Sequence, residues 1–164
     1  MKEQCESHRS FIMSRIKSKN TRLEIDIRKQ LYQAGLRYRL HVSNLPGTPD
    51  LYISKYNTVV FINGCFWHAH GCSLCSVPIN NHDKWVQKFV RNKERDLAVW
   101  KELVSNKYRL ITIWGCSLKG VRSEKMRMIV GAIIDFLENK SLILSIDLNG
   151  AHIISDVNGV YYVQ

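Results

Sequence analysis

Thr58-Val59-Val60-Phe61-Ile62 is a run of β-branched and aromatic residues without a single charge. A strand of that kind needs apolar cover on both faces, which points to the middle of a sheet with helices on either side. Arg109 to Trp114 reads as another buried strand. Around them the pattern alternates between helix and strand. A helix begins at Thr21, shows Leu23, Ile27, Leu31 and Ala34 on one face, and stops at Gly35. Arg37 to Val42 and Asp50 to Ile53 read as strands around the turn Leu45-Pro46-Gly47-Thr48-Pro49. Further helices are expected from Asp83 to Val104, with Trp85, Phe89, Leu97 and Trp100 among its apolar positions, and from Glu124 to Leu137. After Leu142 come strand-like pieces with hairpin-type turns at Asn149-Gly150 and Asn158-Gly159. The order predicts an α/β domain with a mixed central β-sheet flanked by helices. It divides into a basic N-terminal arm (1–20), a main unit (21–140) and a C-terminal strand-like extension packing on the same domain (141–164).

The 24 Lys and Arg residues outnumber the 14 Asp and Glu, giving a net charge of +10. That excess attracts polyanions, of which nucleic acid is the commonest. Arg9, Arg15, Lys17 and Lys19 of the arm lack apolar company, as expected of a solvated basic segment. No apolar run reaches the ~20 residues that span a bilayer, and the polar N-terminal stretch lacks a signal-peptide core. Together these predict an intracellular protein without membrane contact, in a compartment that keeps thiols reduced.

The loop after the first buried strand holds Cys65, His68, His70, Cys72 and Cys75, and Cys116 follows the second. Thiolate and imidazole are the preferred ligands of Zn²⁺, and four of them close a tetrahedral structural site. Cys65, His70, Cys72 and Cys116 form one such set, with Cys75 able to replace Cys72. A thiol-redox role for Cys72-x-x-Cys75 lacks the βαβ surroundings usual for it. Cys5 lies in the arm, away from the cluster.

Asp50 opens a strand directly after a Pro-Gly-x-Pro turn, where a carboxylate can bind hydrated Mg²⁺ or simply cap the turn. An imidazole such as that of His68 suits a general base. Glu24 follows Thr21 by three residues, as in a capping box, yet shares a helix face with Ile27 and Leu31 and so also points toward the sheet. Phe66 and Trp67 lie between candidate ligands, and Trp85 lies just beyond the loop. Such rings are either core residues or wedges that open a base stack.

Several ordered motifs then identify a family. Leu45-Pro46-Gly47-Thr48-Pro49-Asp50, Val60 through Cys72 (VFINGCFWHAHGC), Val77-Pro78, Arg91-Asn92-x-x-Arg95-Asp96 and Ile113-Trp114-Gly115-Cys116-Ser117-Leu118-Lys119-Gly120 resemble the Vsr very-short-patch-repair endonucleases. The resemblance implies a restriction-endonuclease-like fold and nicking of one strand 5′ to the T of a T:G mismatch. Such mismatches arise by deamination of 5-methylcytosine. It implies a monomeric, nucleoid-associated bacterial enzyme, functionally linked to a cytosine-5 DNA methyltransferase and to mismatch-repair proteins. Carried onto this chain, it makes Asp50 the Mg²⁺ carboxylate with the Ile62 backbone carbonyl as second ligand. His68 becomes the catalytic histidine and Glu24 the helix acid that helps order the metal-bound water. Cys65, His70, Cys72 and Cys116 become the Zn²⁺ ligands, and Phe66, Trp67 and Trp85 the intercalating wedge. Asn63 stands where the family often has His, and Ile62 where Thr is commoner. The competing functions are a less selective nickase and a zinc-stabilised DNA-binding module without catalysis.

Overall fold

A computed structural model of the chain describes residues 19–120 and 123–161. Arg9, Arg15, Lys17 and Cys5 of the expected basic arm lie outside the described residues. Six strands form one sheet in the order β1 (Arg39–Leu40), β2 (Leu51–Ile53), β3 (Thr58–Asn63), β4 (Arg109–Trp114), β5 (Ile143–Asp147), β6 (Gly150–Ile154). The pairs β1/β2, β2/β3 and β5/β6 are antiparallel, whereas β3/β4 and β4/β5 are parallel. Helix α1 (Arg22–Gln33) precedes the sheet, α2 (His82–Ser105) joins β3 to β4, and α3 (Gly115–Leu118) and α4 (Ser123–Glu138) join β4 to β5.

The two central strands owe their place to cover on both faces. Val60, Ile111 and Ile113 pack with Ile27 and Leu31 of α1 and Ile133 and Phe136 of α4. Their neighbours Val59, Phe61, Leu110 and Trp114 face the other way, against Trp100 and Leu103 of α2 and Val160 and Tyr161 near the C-terminus. Side chains alternate along a strand, so each central strand feeds both cores. The result is a three-layer α/β arrangement around a mixed sheet.

Helix α1 starts and stops where its sequence directs. Thr21 is its N-cap in a capping box with Glu24, and Gly35, at φ 88°, ends it. Gly35 N–H donates to Tyr32 and Leu36 N–H to Leu31, the paired bonds of a Schellman motif, with Leu31 and Leu36 both in the core. Ala34, expected on the apolar face, is exposed, because it occupies the C-cap where the helix is already turning away. The expected strand Arg37–Val42 shrinks to Arg39–Leu40, since His41 takes a left-handed conformation (φ 47°) that an extended strand does not tolerate. At the C-terminus, the hairpin β5–β6 turns on Leu148 and Asn149, one residue earlier than Asn149-Gly150. Asn158-Gly159 does not turn a hairpin. It lies in a 3₁₀ helix, Val157–Tyr161, that buries Val157, Val160 and Tyr161 under the sheet.

Among the described residues, no helix is long and apolar enough to cross a membrane. The N-terminal end of β2, the C-terminal ends of β3 and β4 and the loops that leave them share one edge of the sheet. Ligands in open α/β sheets bind beyond the carboxyl ends of the strands.

Candidate active site and cysteine–histidine cluster

The turn before β2 is fixed by its glycine. Gly47 sits at φ 71°, and a Cβ there would lie 2.5 Å from Val99 Cγ1. That tight turn delivers Asp50 to the end of the sheet, where its Oδ2 accepts the Ile62 N–H at 2.7 Å. Continuing the β2/β3 register by two residues puts Pro49 opposite Ile62. Proline has no N–H to offer, and within a strand the N–H and C=O of one residue point to the same side. The Ile62 carbonyl thus faces the Asp50 side without the ladder partner that another residue would supply.

Burial pushes the Asp50 carboxyl up to about 6 from 3.8; the Ile62 amide pulls it down, the nearby Glu24 charge raises it further, and Arg28 and His68 lower it. Ile62 lies at the end of β3, the strand from which the His68 loop departs. Ligand atoms of Glu24, His41 and Asp50 lie within 4.8 Å of one another. A half-hidden carboxylate held above its usual range, beside a carbonyl that Pro49 cannot pair, is a donor set suited to a hard divalent cation.

Glu24 both caps the helix and faces this site. It is 3% exposed, its Oε1 takes the Thr21 N–H and hydroxyl, and its Oε2 takes the Asn20 N–H and Arg28 Nη2 at 2.7 Å. Arg28 Nη2 also lies 3.0 Å from His41 Nε2. Burial, followed by the Arg28 charge, lowers the His41 pKa.

His68 leaves the end of β3 on a short turn, and its Nδ1 lies 2.5 Å from Asp96 Oδ2 on α2. The same carboxylate oxygen accepts the Tyr161 hydroxyl at 2.8 Å, and Oδ1 accepts from Arg95. Burial would raise the Asp96 pKa, but the His68, Tyr161 and Arg95 hydrogen bonds outweigh it and hold the carboxyl below its ordinary value. Burial, and then the contact with Asp96, push the Tyr161 phenol up. With its Nδ1–H given to Asp96, neutral His68 carries its lone pair on Nε2.

The soft ligands gather on the neighbouring loop. Cys65, His70, Cys72 and Cys116 bring ligand atoms within 4.8 Å of one another. The Cys116 N–H donates to Cys65 Sγ, and Cys116 Sγ lies 3.7 Å from His70 Nδ1. The His70 ring stacks on Trp114 with centroids 4.1 Å apart, and its Nε2 faces Asp147 Oδ2 at 4.0 Å. Burial raises the Cys65 and Cys116 thiols and lowers His70. Thiols and an imidazole in this arrangement suit a soft divalent ion, which would draw off the thiol protons. Cys75 remains a free thiol outside this set, and the geometry thereby distinguishes it from Cys72.

Phe66, Trp67 and Trp85 form a half-buried aromatic cluster, with Phe66 5.1 Å from Trp67 and 5.3 Å from Trp85. Lys88 Nζ lies 5.0 Å from the Trp67 ring, and Asn92 Nδ2 donates to the Trp67 carbonyl at 2.8 Å. Two groups of this site escaped the reading of the sequence. Asp96 had a signal, since a carboxylate at the spacing Phe89, Asp96, Trp100, Leu103 lies on the buried face of its helix. His41 had none, because its place depends on a left-handed backbone.

The model of the family described as DNA mismatch endonuclease Vsr matches residues 3–74. The DNA mismatch endonuclease Vsr of Escherichia coli is 30% identical over 147 residues, covering 90% of this chain and 94% of that protein. This chain belongs to the Vsr family. Type II nicking enzymes of Neisseria meningitidis and Xanthomonas oryzae are also similar. The first is 41% identical over 79% of this chain and 94% of its own length, the second 37% over 73% and 88%. Vsr membership makes the chain a DNA endonuclease acting on phosphodiester bonds, and it sets aside the reading of a DNA-binding module without catalysis. It also implies a divalent metal for catalysis and DNA as substrate.

Proposed function

We propose that this Vsr-family enzyme nicks one strand 5′ to the T of a T:G mismatch produced by deamination of 5-methylcytosine. We further propose that it works on a restriction-endonuclease-like fold. The observation that carries the chemical reading is the Asp50–Ile62 hydrogen bond at the end of β3, the strand whose following loop bears the His68–Asp96 pair. The division into basic arm, catalytic unit and C-terminal strands belongs to the same reading, as does operation alongside a cytosine-5 methyltransferase.

Asp50 and the Ile62 carbonyl would hold Mg²⁺, which supplies charge neutralisation at the scissile phosphate. His68 Nε2 takes the proton of the water that attacks phosphorus, and Asp96 stabilises the imidazolium so formed. The bond from phosphorus to the 3′ oxygen breaks and that oxygen is protonated from solvent, leaving 5′-phosphate and 3′-hydroxyl ends. Glu24 holds Arg28 and the first turn of α1 in place beside the carboxylate. Cys65, His70, Cys72 and Cys116 would hold Zn²⁺ and tie the His68 loop to the end of β4.

Phe66, Trp67 and Trp85 act as a wedge, favoured by their partial exposure next to His68 and by the Lys88 cation beside two of the rings. Opening a weakly paired step costs less than opening a matched one. The test compares single-turnover nicking of T:G, fully paired and other mismatched duplexes at one salt concentration, because affinity for a chain of this charge falls steeply with salt. Preference for T:G is expected. Equal nicking of all duplexes would instead establish a non-selective nickase.

A further inference from the structure

Glu24, His41 and Asp50 lie close enough to pass for three ligands of one cation. The hydrogen-bond chemistry argues otherwise for His41. A guanidinium donates only, so the 3.0 Å contact from Arg28 Nη2 requires His41 Nε2 to accept. A neutral imidazole with a lone pair on Nε2 carries its proton on Nδ1. Nδ1 is the atom that faces Asp50 Oδ1, at 4.0 Å. Arg28 in turn is held by Glu24 Oε2 at 2.7 Å and by the Asn20 side chain at 2.6 Å, so it is not free to release Nε2.

We propose that His41 is a positioning residue for the metal-binding carboxylate, turning an N–H and not a lone pair toward Asp50. Two further observations support a built arrangement. His41 stands at φ 47°, an uncommon conformation for a residue with a Cβ, and such strain gathers at functional sites. Its backbone N–H also donates to the Asp50 carbonyl at 3.3 Å, tying the two residues together across the turn. Asp50 Oδ2 is thus held by the Ile62 amide, while Oδ1 faces the His41 N–H across 4.0 Å. The relay runs Glu24, Arg28, His41, Asp50, with the helix-capping glutamate fixing the tautomer of a histidine two residues away in the chain of contacts.

The inference rests on the reading of Asp50 as a metal ligand, and the experiment separates the two. Mn²⁺ binding to the full chain is followed by its paramagnetic resonance signal, with Mg²⁺ affinity measured by competition. Asp50→Ala should lose this binding. If it binds as the wild type does, the carboxylate reading itself fails. His41→Ala should weaken Mn²⁺ and Mg²⁺ by a similar factor, ~10–100. His41→Asn, which keeps an N–H donor near the Nδ1 position, should recover most of the loss. No nitrogen coupling from His41 should appear in the Mn²⁺ signal. Unchanged affinity in folded His41→Ala overturns the proposal. So does a nitrogen coupling that disappears in His41→Asn, because it would make the imidazole a ligand. A direct ligand would also favour Mn²⁺ over Mg²⁺, so selective loss of Mn²⁺ affinity counts against positioning. Thermal unfolding verifies that each variant is folded. If His41→Ala is not, His41→Gln replaces it, and undiminished binding there overturns the proposal equally.

Discussion

Asp96 grips the imidazole of His68 from the opposite side of the loop, Oδ2 to Nδ1 at 2.5 Å, and shares that oxygen with the Tyr161 hydroxyl. The base is therefore oriented by the long helix and by the C-terminal 3₁₀ turn together. Asp96→Asn would replace an acceptor by an amide able to donate, reversing the favoured tautomer and moving the lone pair off Nε2. Single-turnover nicking should fall ~100-fold or more, the scale of general-base catalysis, with duplex binding retained. A loss of less than threefold would show that the Asp96 carboxylate does not orient the base.

Asp50→Ala should abolish divalent-dependent nicking while binding of the T:G duplex persists, because the arginines and lysines that meet the phosphates are untouched. Gel-shift and nicking assays on one preparation check this. Full activity in the variant refutes the site.

The raised Asp50 pKa fixes two signs. For the metal-free chain, a carboxyl at about 6 in the fold and 3.8 as its ordinary value stabilises the fold fully below 3.8. That contribution is lost as pH rises through 6, and it amounts to at most ~3 kcal/mol. In a chelator, Asp50→Asn should be more stable than wild type at pH 7.5, and the difference should vanish near pH 4. With Mg²⁺ present the ion competes with the proton, so apparent Mg²⁺ affinity should drop tenfold per pH unit below 6. Denaturant melts and nicking titrations across pH 5 to 8, ~0.5 unit apart, read both.

Purified protein should contain about one zinc per chain. Cys116→Ser should lose the ion and lower the melting temperature, whereas Cys75→Ser should keep both. Metal analysis and thermal melts decide, and a Cys116→Ser protein with full zinc would reassign the fourth ligand.

Trp67→Ala removes a ring held by Phe66, Trp85 and Lys88. Base–aromatic stacking is worth ~1–3 kcal/mol, so T:G affinity should fall ~10–100-fold while affinity for a fully paired duplex changes little. An equal fall for both duplexes would make the cluster a structural core.

The central strands and long helices were legible because their signals are local. An uncharged β-branched run, a Thr-x-x-Glu cap and a Gly stop each act over a few residues, and Thr58, Arg109, Thr21 and Gly35 mark boundaries in the fold close to those their chemistry suggests. The cysteine–histidine cluster was legible by ligand type; spacing left Cys72 and Cys75 equivalent, the resemblance chose Cys72, and the fold gathers Cys72 with Cys65, His70 and Cys116. What escaped depends on tertiary contact. His41 and Asp50 are joined across a turn whose backbone the sequence does not announce, and Tyr161 reaches Asp96 across 65 positions. The 3₁₀ turn at Asn158-Gly159 prevailed over a hairpin because Val157, Val160 and Tyr161 find an apolar surface to cover.

His68 stands between Cys65 and His70 on one continuous stretch of backbone. A reagent that pries open the thiol clamp, whether an oxidant or a strong chelator, therefore also slackens the leash on the proton acceptor. Such damage would silence the nuclease without unfolding its sheet, leaving a protein that still grips duplex and no longer cuts it.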